Sequence, residues 1–251
     1  MTFKAYAFLI IALFIPLFCS GSEDCSENSA IELWHSTNQH LKILFENEIK
    51  QPPKFVIYHQ SSELPFQEGN QFLGNYNRET GEISVACLDG NAFVFNKIVR
   101  HESTHYYLHQ IYGFVPMWID EGLASYMEVE SLENNGNLQN INKPRLDEFI
   151  HMLKKGQALS IENVIKDQFS GSHPSQFYAT CWALIYALLH HKEPEVQIKR
   201  RDLLLKILAV LKSKQYTPGQ IYAFVHDEII QQEGSIKVWQ EKIYRQIWAI
   251  R

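Results

Sequence analysis

Apolar residues recur along this chain with two periods, and the elements change where the period changes. From Ser29 to Ile49 the spacing is helical, with Ile31, Trp34, Leu41, Ile43, Leu44 and Phe45 as the main apolar positions, until Pro52-Pro53 stops it. Lys54 to His59 carries the run Phe55-Val56-Ile57-Tyr58, which predicts a buried strand, and a polar loop follows to about Asn70. Gln71–Asn77, a turn at Arg78-Glu79-Thr80-Gly81, and Glu82–Leu88 read as a hairpin. Helical spacing returns at Phe93, with Phe95, Ile98, Val99, Leu108 and Ile111 as the apolar stripe and Gly113 as the stop. Pro116 opens a second helix, and Ser131–Asn142, rich in Asn, reads as a surface loop. Further helices are expected at about Pro144–Lys155, Ser160–Gln168, Pro174–His191, Glu195–Lys214, Thr217–Val225 and Ser235–Ile250. The pattern predicts an α+β fold, with a small N-terminal antiparallel or mixed sheet and a mostly helical C-terminal half.

Composition narrows this picture without changing it. The chain has 251 residues, 45% of them hydrophobic, which suits one globular domain with a substantial core. Ahead of it, Lys4, the apolar run Ala5–Phe18 and the small residues Ser20, Gly21 and Ser22 have the form of an export signal over residues 1–22. The run is too short for a membrane span, so the expectation is an exported, secreted or periplasmic protein without an integral membrane domain. Phe18 beside Cys19 argues against a lipid-anchored start. Residues 23–251 then form the domain, with the sheet and first helices in 23–130 and a helical subdomain in 141–251.

Net charge is −5, and losing Lys4 with the leader makes it −6. Lys199-Arg200-Arg201 falls within an amphipathic helix and reads as a solvated face, so nothing supports nucleic-acid binding. Without Cys19, the residues Cys25, Cys87 and Cys181 permit one disulfide at most. Cys87, closing a strand, and Cys181, in an apolar helix, read as small core residues.

The chemistry concentrates in His101-Glu102-Ser103-Thr104-His105. Residues i and i+4 share one helical face, so two imidazoles can grip one ion while Glu102 stands beside it as a proton acceptor. This is the H-E-x-x-H pattern of two zinc ligands and a general base. With 11 His in the chain, the same letters also arise as two helix histidines around a solvated Glu, so a third ligand matters. Glu121, near the opening of the helix that follows Pro116, is the candidate. The small residues Gly122, Ala124 and Ser125 would let that helix pack closely against the first.

His101-Glu102-x-x-His105 followed by Trp118-x-x-Glu121-Gly122-x-Ala124 resembles the gluzincin metallopeptidases, in particular the peptidase-MA-like families. The resemblance is strongest over Phe93–Glu128 and implies a zincin-like fold holding one Zn2+ on His101, His105 and Glu121, with Glu102 as catalytic base. It also likens Gly81–Leu88 to the family's edge strand, and Tyr178–Leu184 to a later core helix. Fifteen residues separate His105 from Glu121, fewer than in thermolysin-like enzymes, and Ser125 stands where those enzymes tend to have a histidine-orienting Asp. Asp120 is a candidate for that task, or else a helix N-terminal charge facing water.

The activity implied is hydrolysis of peptide bonds in a peptide or protein substrate, which an edge strand can align through main-chain hydrogen bonds. Tyr178 is a candidate donor to the developing oxyanion, because related enzymes often use a Tyr or His there; His173 and Tyr126 are others. His190 and His191 end an apolar helix, where cations suit the dipole. No element for capturing a free amine is evident, which favours an endopeptidase. The alternative is a catalytically inactive zincin-fold protein acting as a binding module. A membrane-embedded protease is excluded by the lack of a second long apolar stretch. Subsite preference and oligomeric state are not written in the sequence.

Overall fold

A computed structural model of the chain describes residues 24–60, 73–129, 141–168, 174–213 and 216–250. The leader, most of the Asn-rich loop, the first two residues of the expected hairpin and His173 lie outside the described residues.

Helix α1 (Glu27–Phe45) begins where the Ser26 hydroxyl accepts from the Ser29 amide, and buries Ala30, Leu33, Trp34, Leu41 and Phe45. It ends four residues before the expected Ile49, because Glu46 turns into the left-handed region. Ile43 falls off the buried stripe and is 68% exposed. Strands β1 (Lys54–Tyr58), β2 (Gly74–Asn77) and β3 (Glu82–Ala86) form a mixed sheet in the order β1-β3-β2. β1 runs parallel to β3, with Phe55 opposite Ile83, and β2 runs antiparallel to it, with Tyr76 opposite Ile83. The expected hairpin is thus present, but the edge assignment is corrected. β3, with Ile83 to Ala86 all buried, is the central strand. The polar Gly74-Asn75-Tyr76-Asn77 segment lies at the edge, where unburied side chains and one unpaired backbone face are tolerated.

Helix α2 (Ala92–Tyr112) starts at the Asn91 cap and stops at Gly113, whose φ of 75° favours glycine. One face of α2 packs Phe95, Val99 and Tyr106 against the sheet and α1. Another packs Tyr107, Leu108 and Tyr112 into the larger helical core. A third face carries His101 and His105. Helix α3 (Met117–Met127) follows Pro116 and lies between α2 and α6.

Helices α4 (Lys143–Lys155), α5 (Ile161–Ile165), α6 (Pro174–Leu189), α7 (Pro194–Lys212), α8 (Pro218–Glu233) and α9 (Ile236–Trp248) complete the described chain. The expected α5 runs past the observed end, and α8 continues well beyond the expected Val225 because Ile229, fully buried, carries the apolar stripe onward. Helix α6, buried from Ala179 to Leu189, is a core element, as its apolar run predicted. No described helix is long and apolar enough to cross a membrane. The fold is therefore α+β and mostly helical, with a small mixed sheet.

Three expectations about single residues are corrected. Gly122 faces α6 rather than α2: a Cβ there would stand 2.6 Å from Ile185 Cγ1 and 2.7 Å from the Cys181 carbonyl oxygen. Arg200 is not on a solvated face. It is 3% exposed and donates to the Ala187 carbonyl and to Gln246, whereas Lys199 and Arg201 are exposed. Cys87 is not a lone core thiol, since it forms a disulfide with Cys25 that ties the start of α1 to the end of β3. Cys181 is free and buried.

Candidate metal centre

Two successive turns of α2 bring His101 and His105 to one face, with ring centroids 4.8 Å apart. Helix α3, held against α2, brings Glu121 opposite them from just past its first turn. Glu121 Oε2 lies 3.4 Å from His101 Nε2 and 3.8 Å from His105 Nε2. One ligand atom from each of the three residues falls within 4.8 Å of the others, so the group could bind a metal ion. The donors fit a small divalent cation on their own geometry. Metal–donor bonds of about 2.0–2.2 Å in a tetrahedron put donors roughly 3.3–3.6 Å apart. Glu121 Oε2 is moreover buried with no hydrogen-bond partner, an arrangement that a cation between the three atoms would satisfy.

The imidazole orientations are set from behind. Asp120 Oδ1 accepts from His105 Nδ1 at 2.7 Å, and its Oδ2 accepts from His109 Nε2 at 2.9 Å. Glu128 Oε1 accepts from His101 Nδ1 at 3.1 Å. Burial works against both carboxylates' charge, but their histidines, joined by Arg145 at Glu128, pull the two pKa values well below the usual range. An ionised carboxylate only accepts, so both Nδ1 atoms carry hydrogen and both Nε2 atoms face Glu121.

Burial also disfavours charged imidazoles. Glu121 and Glu128 nevertheless hold His101 up at about 10, and Asp120 and Glu121 hold His105 up at about 9. This cluster of carboxylates demands positive charge at the two Nε2 atoms, from protons or from a cation.

Glu102 stands beside the ligands with its carboxyl pKa raised by burial, while the Tyr76 backbone amide donates to it. Edge strand β2 passes so close that a Cβ at Gly74 would lie 2.2 Å from Ile98 Cγ2 and 3.0 Å from Glu102 Oε1. Together these groups line a cleft of about 620 Å³. Residues Leu73–Tyr76 form one wall, Arg145 and Tyr178 the other, and the exposed Phe93 a rim. The Tyr178 ring meets His101 edge-on at 6.5 Å, with the Arg145 guanidinium 5.3 Å over it. Burial, aided by the Glu121 charge, pushes its hydroxyl pKa up to about 12, so the proton is retained.

Of the residues singled out by sequence, His101, Glu102, His105, Asp120, Glu121 and Tyr178 line one cleft. Tyr126 does not: it is buried away from the cleft, with its hydroxyl on His190 Nε2 at 2.9 Å. His190 is not the helix-end cation expected, because burial lowers its pKa to about 4 and keeps it neutral. Asp120 faces inward, not water. Ser125 is fully buried and makes no contact that orients a histidine. Sequence reasoning missed Glu128 and His109. Their signals were spacing, seven residues after Glu121 and four after His105, which returns each to the same helical face.

Two histidines and one glutamate on paired helices, a group that could bind a metal ion, are the class of site defined here. The chain is similar over residues 97–202 to a family described as "Protein of unknown function (DUF1570)", a stretch containing every residue of the group. No curated protein and no solved structure matches the chain.

Proposed function

We propose that the protein is a zinc-dependent peptidase of the gluzincin kind, with a zincin-like arrangement of sheet and metal helices. The observation that carries this reading is the convergence of His101 Nε2, His105 Nε2 and the unpartnered Glu121 Oε2, with Glu102 at their side. Two imidazoles and one carboxylate are the donor set of peptidase zinc sites, and His101, His105 and Glu121 would hold the ion. When bound, zinc supplies a Lewis acid and a water of near-neutral pKa.

This chain's own residues account for the remaining chemistry. Glu102, whose raised pKa makes it a better base than an exposed glutamate, accepts a proton from the attacking water. As the carbon–nitrogen bond breaks, Glu102 returns that proton to the leaving amine. Tyr178, protonated and at the cleft wall, donates to the carbonyl oxygen as negative charge develops there. Edge strand β2 offers backbone groups along the cleft for an extended peptide, which suits a protein or peptide substrate cut internally. Export belongs to the same proposal and rests on the apolar leader in the sequence.

The test is a matched pair, wild type and Glu102→Gln, both loaded with zinc and given a mixed peptide library. Cleavage by wild type, lowered about 10²-fold or more in the variant, is the expected result. Equal zinc with no turnover in either protein overturns the enzyme reading and favours a binding module.

A further inference from the structure

Glu128 does more than accept from His101; it is itself gripped from three sides. Its Oε1 also accepts from Arg145 Nη2 at 2.7 Å. Its Oε2 accepts from Asn142 Nδ2 at 2.7 Å and faces Lys97 Nζ at 3.2 Å. Asn142, fully buried, is the N-cap of α4: its Oδ1 accepts from the Arg145 amide. The same side chain donates to the Ser125 carbonyl of α3 at 2.9 Å. One amide therefore joins the last turn of α3, the Glu128 carboxylate and the start of α4.

From this geometry we infer that Glu128, held by Asn142 and Arg145, is the positioning residue of His101, so that the docking of α4 sets the metal affinity of the centre. The inference rests on the metal-binding reading of His101, His105 and Glu121. Two cations and an amide also hold Glu128, so its place does not depend on the imidazole alone. The imidazole needs Glu128. A fixed acceptor at Nδ1 keeps the ring from turning, holds hydrogen on that nitrogen and directs the Nε2 lone pair at the point facing Glu121 Oε2. Without it the ring can rotate about its last torsion, and Nε2 becomes a weaker, misdirected donor.

Two full-length variants test this, with zinc affinity measured by competition against a chromophoric chelator. Glu128→Gln keeps the shape and an acceptor oxygen but loses the charge. Asn142→Asp keeps a good helix cap while setting a like charge against Glu128. Each is expected to weaken zinc binding about 10- to 100-fold. Glu121→Ala, run alongside, abolishes binding. Thermal unfolding of the metal-free proteins separates positioning from support. A lower melting temperature with unchanged zinc affinity would make Glu128 only a tie between α3 and α4 and overturn the inference. If Asn142→Asp fails to fold, Glu128→Gln decides alone. Wild type that takes up no zinc overturns the metal-binding reading itself, which is a different result from variants that bind as tightly as wild type.

Discussion

His190 and His101 share a ring chemistry and differ by surroundings. Carboxylates surround His101 and raise it, whereas burial dominates at His190, with the Tyr126 hydroxyl on its Nε2, and lowers it to about 4. An unfolded chain titrates histidine near pH 6.5. Between about pH 6.5 and 4 the unfolded state therefore binds more protons at His190 than the folded state does. Stability from this residue is fully present above pH 6.5 and is lost as pH falls toward 4. Thermal melts of wild type and His190→Gln across pH 4.5–7 check this, and the variant should lose less stability on acidification. Parallel curves would remove His190 from the account. The same contrast explains what was legible at this scale. The spacing of His101 and His105 is fixed by helix geometry, so five letters announce it. Which carboxylates turn inward depends on helices packed from elsewhere, so the sequence left Asp120 between two readings, and the spacing of Glu128 from Glu121 did not say which way their shared face turns.

At the scale of elements, α3 is the part that decides the centre, because it carries Glu121 on one side and meets α6 on the other. Gly122 permits that contact, with the Cys181 carbonyl where a Cβ would sit. Alanine is preferred over glycine in a helix by about 1 kcal/mol, yet overpacking against backbone costs typically about 1–3 kcal/mol. We expect Gly122→Ala to lower stability in chemical denaturation and to weaken zinc binding by shifting Glu121. A variant as stable as wild type would show that α3 has room. Helical periods placed α2, α4, α6 and α9 closely, with Gly113 legible as the stop of α2, whereas the Asn91, Asn142 and Ser235 caps were found only in the structure. The reversal of Gly122's partner and of the edge strand was hidden, because both depend on which faces meet. Small residues announce close approach without naming what approaches.

Taken whole, the molecule puts α2 between two cores, one shared with the sheet and α1, the other with the helical half. The face carrying His101 and His105 is what remains of α2 once both cores have taken theirs. That division follows from its buried residues, Phe95 and Val99 on one side, Leu108 and Tyr112 on the other. The Cys25–Cys87 bridge fastens the sheet side, and the links from Arg145 and Asn142 fasten the helical side. The class of fold was readable from the order of periods, but the bridge was not, because pairing needs two cysteines near in space and 62 apart in sequence. The central claim, that side chains from both α2 and α3 hold one ion, is tested most directly by zinc content. Wild type and Glu121→Ala are equilibrated with zinc, freed of excess and measured by plasma mass spectrometry. The account predicts about one zinc per chain in wild type and almost none in the variant. Equal zinc in both, or none in wild type, would contradict it.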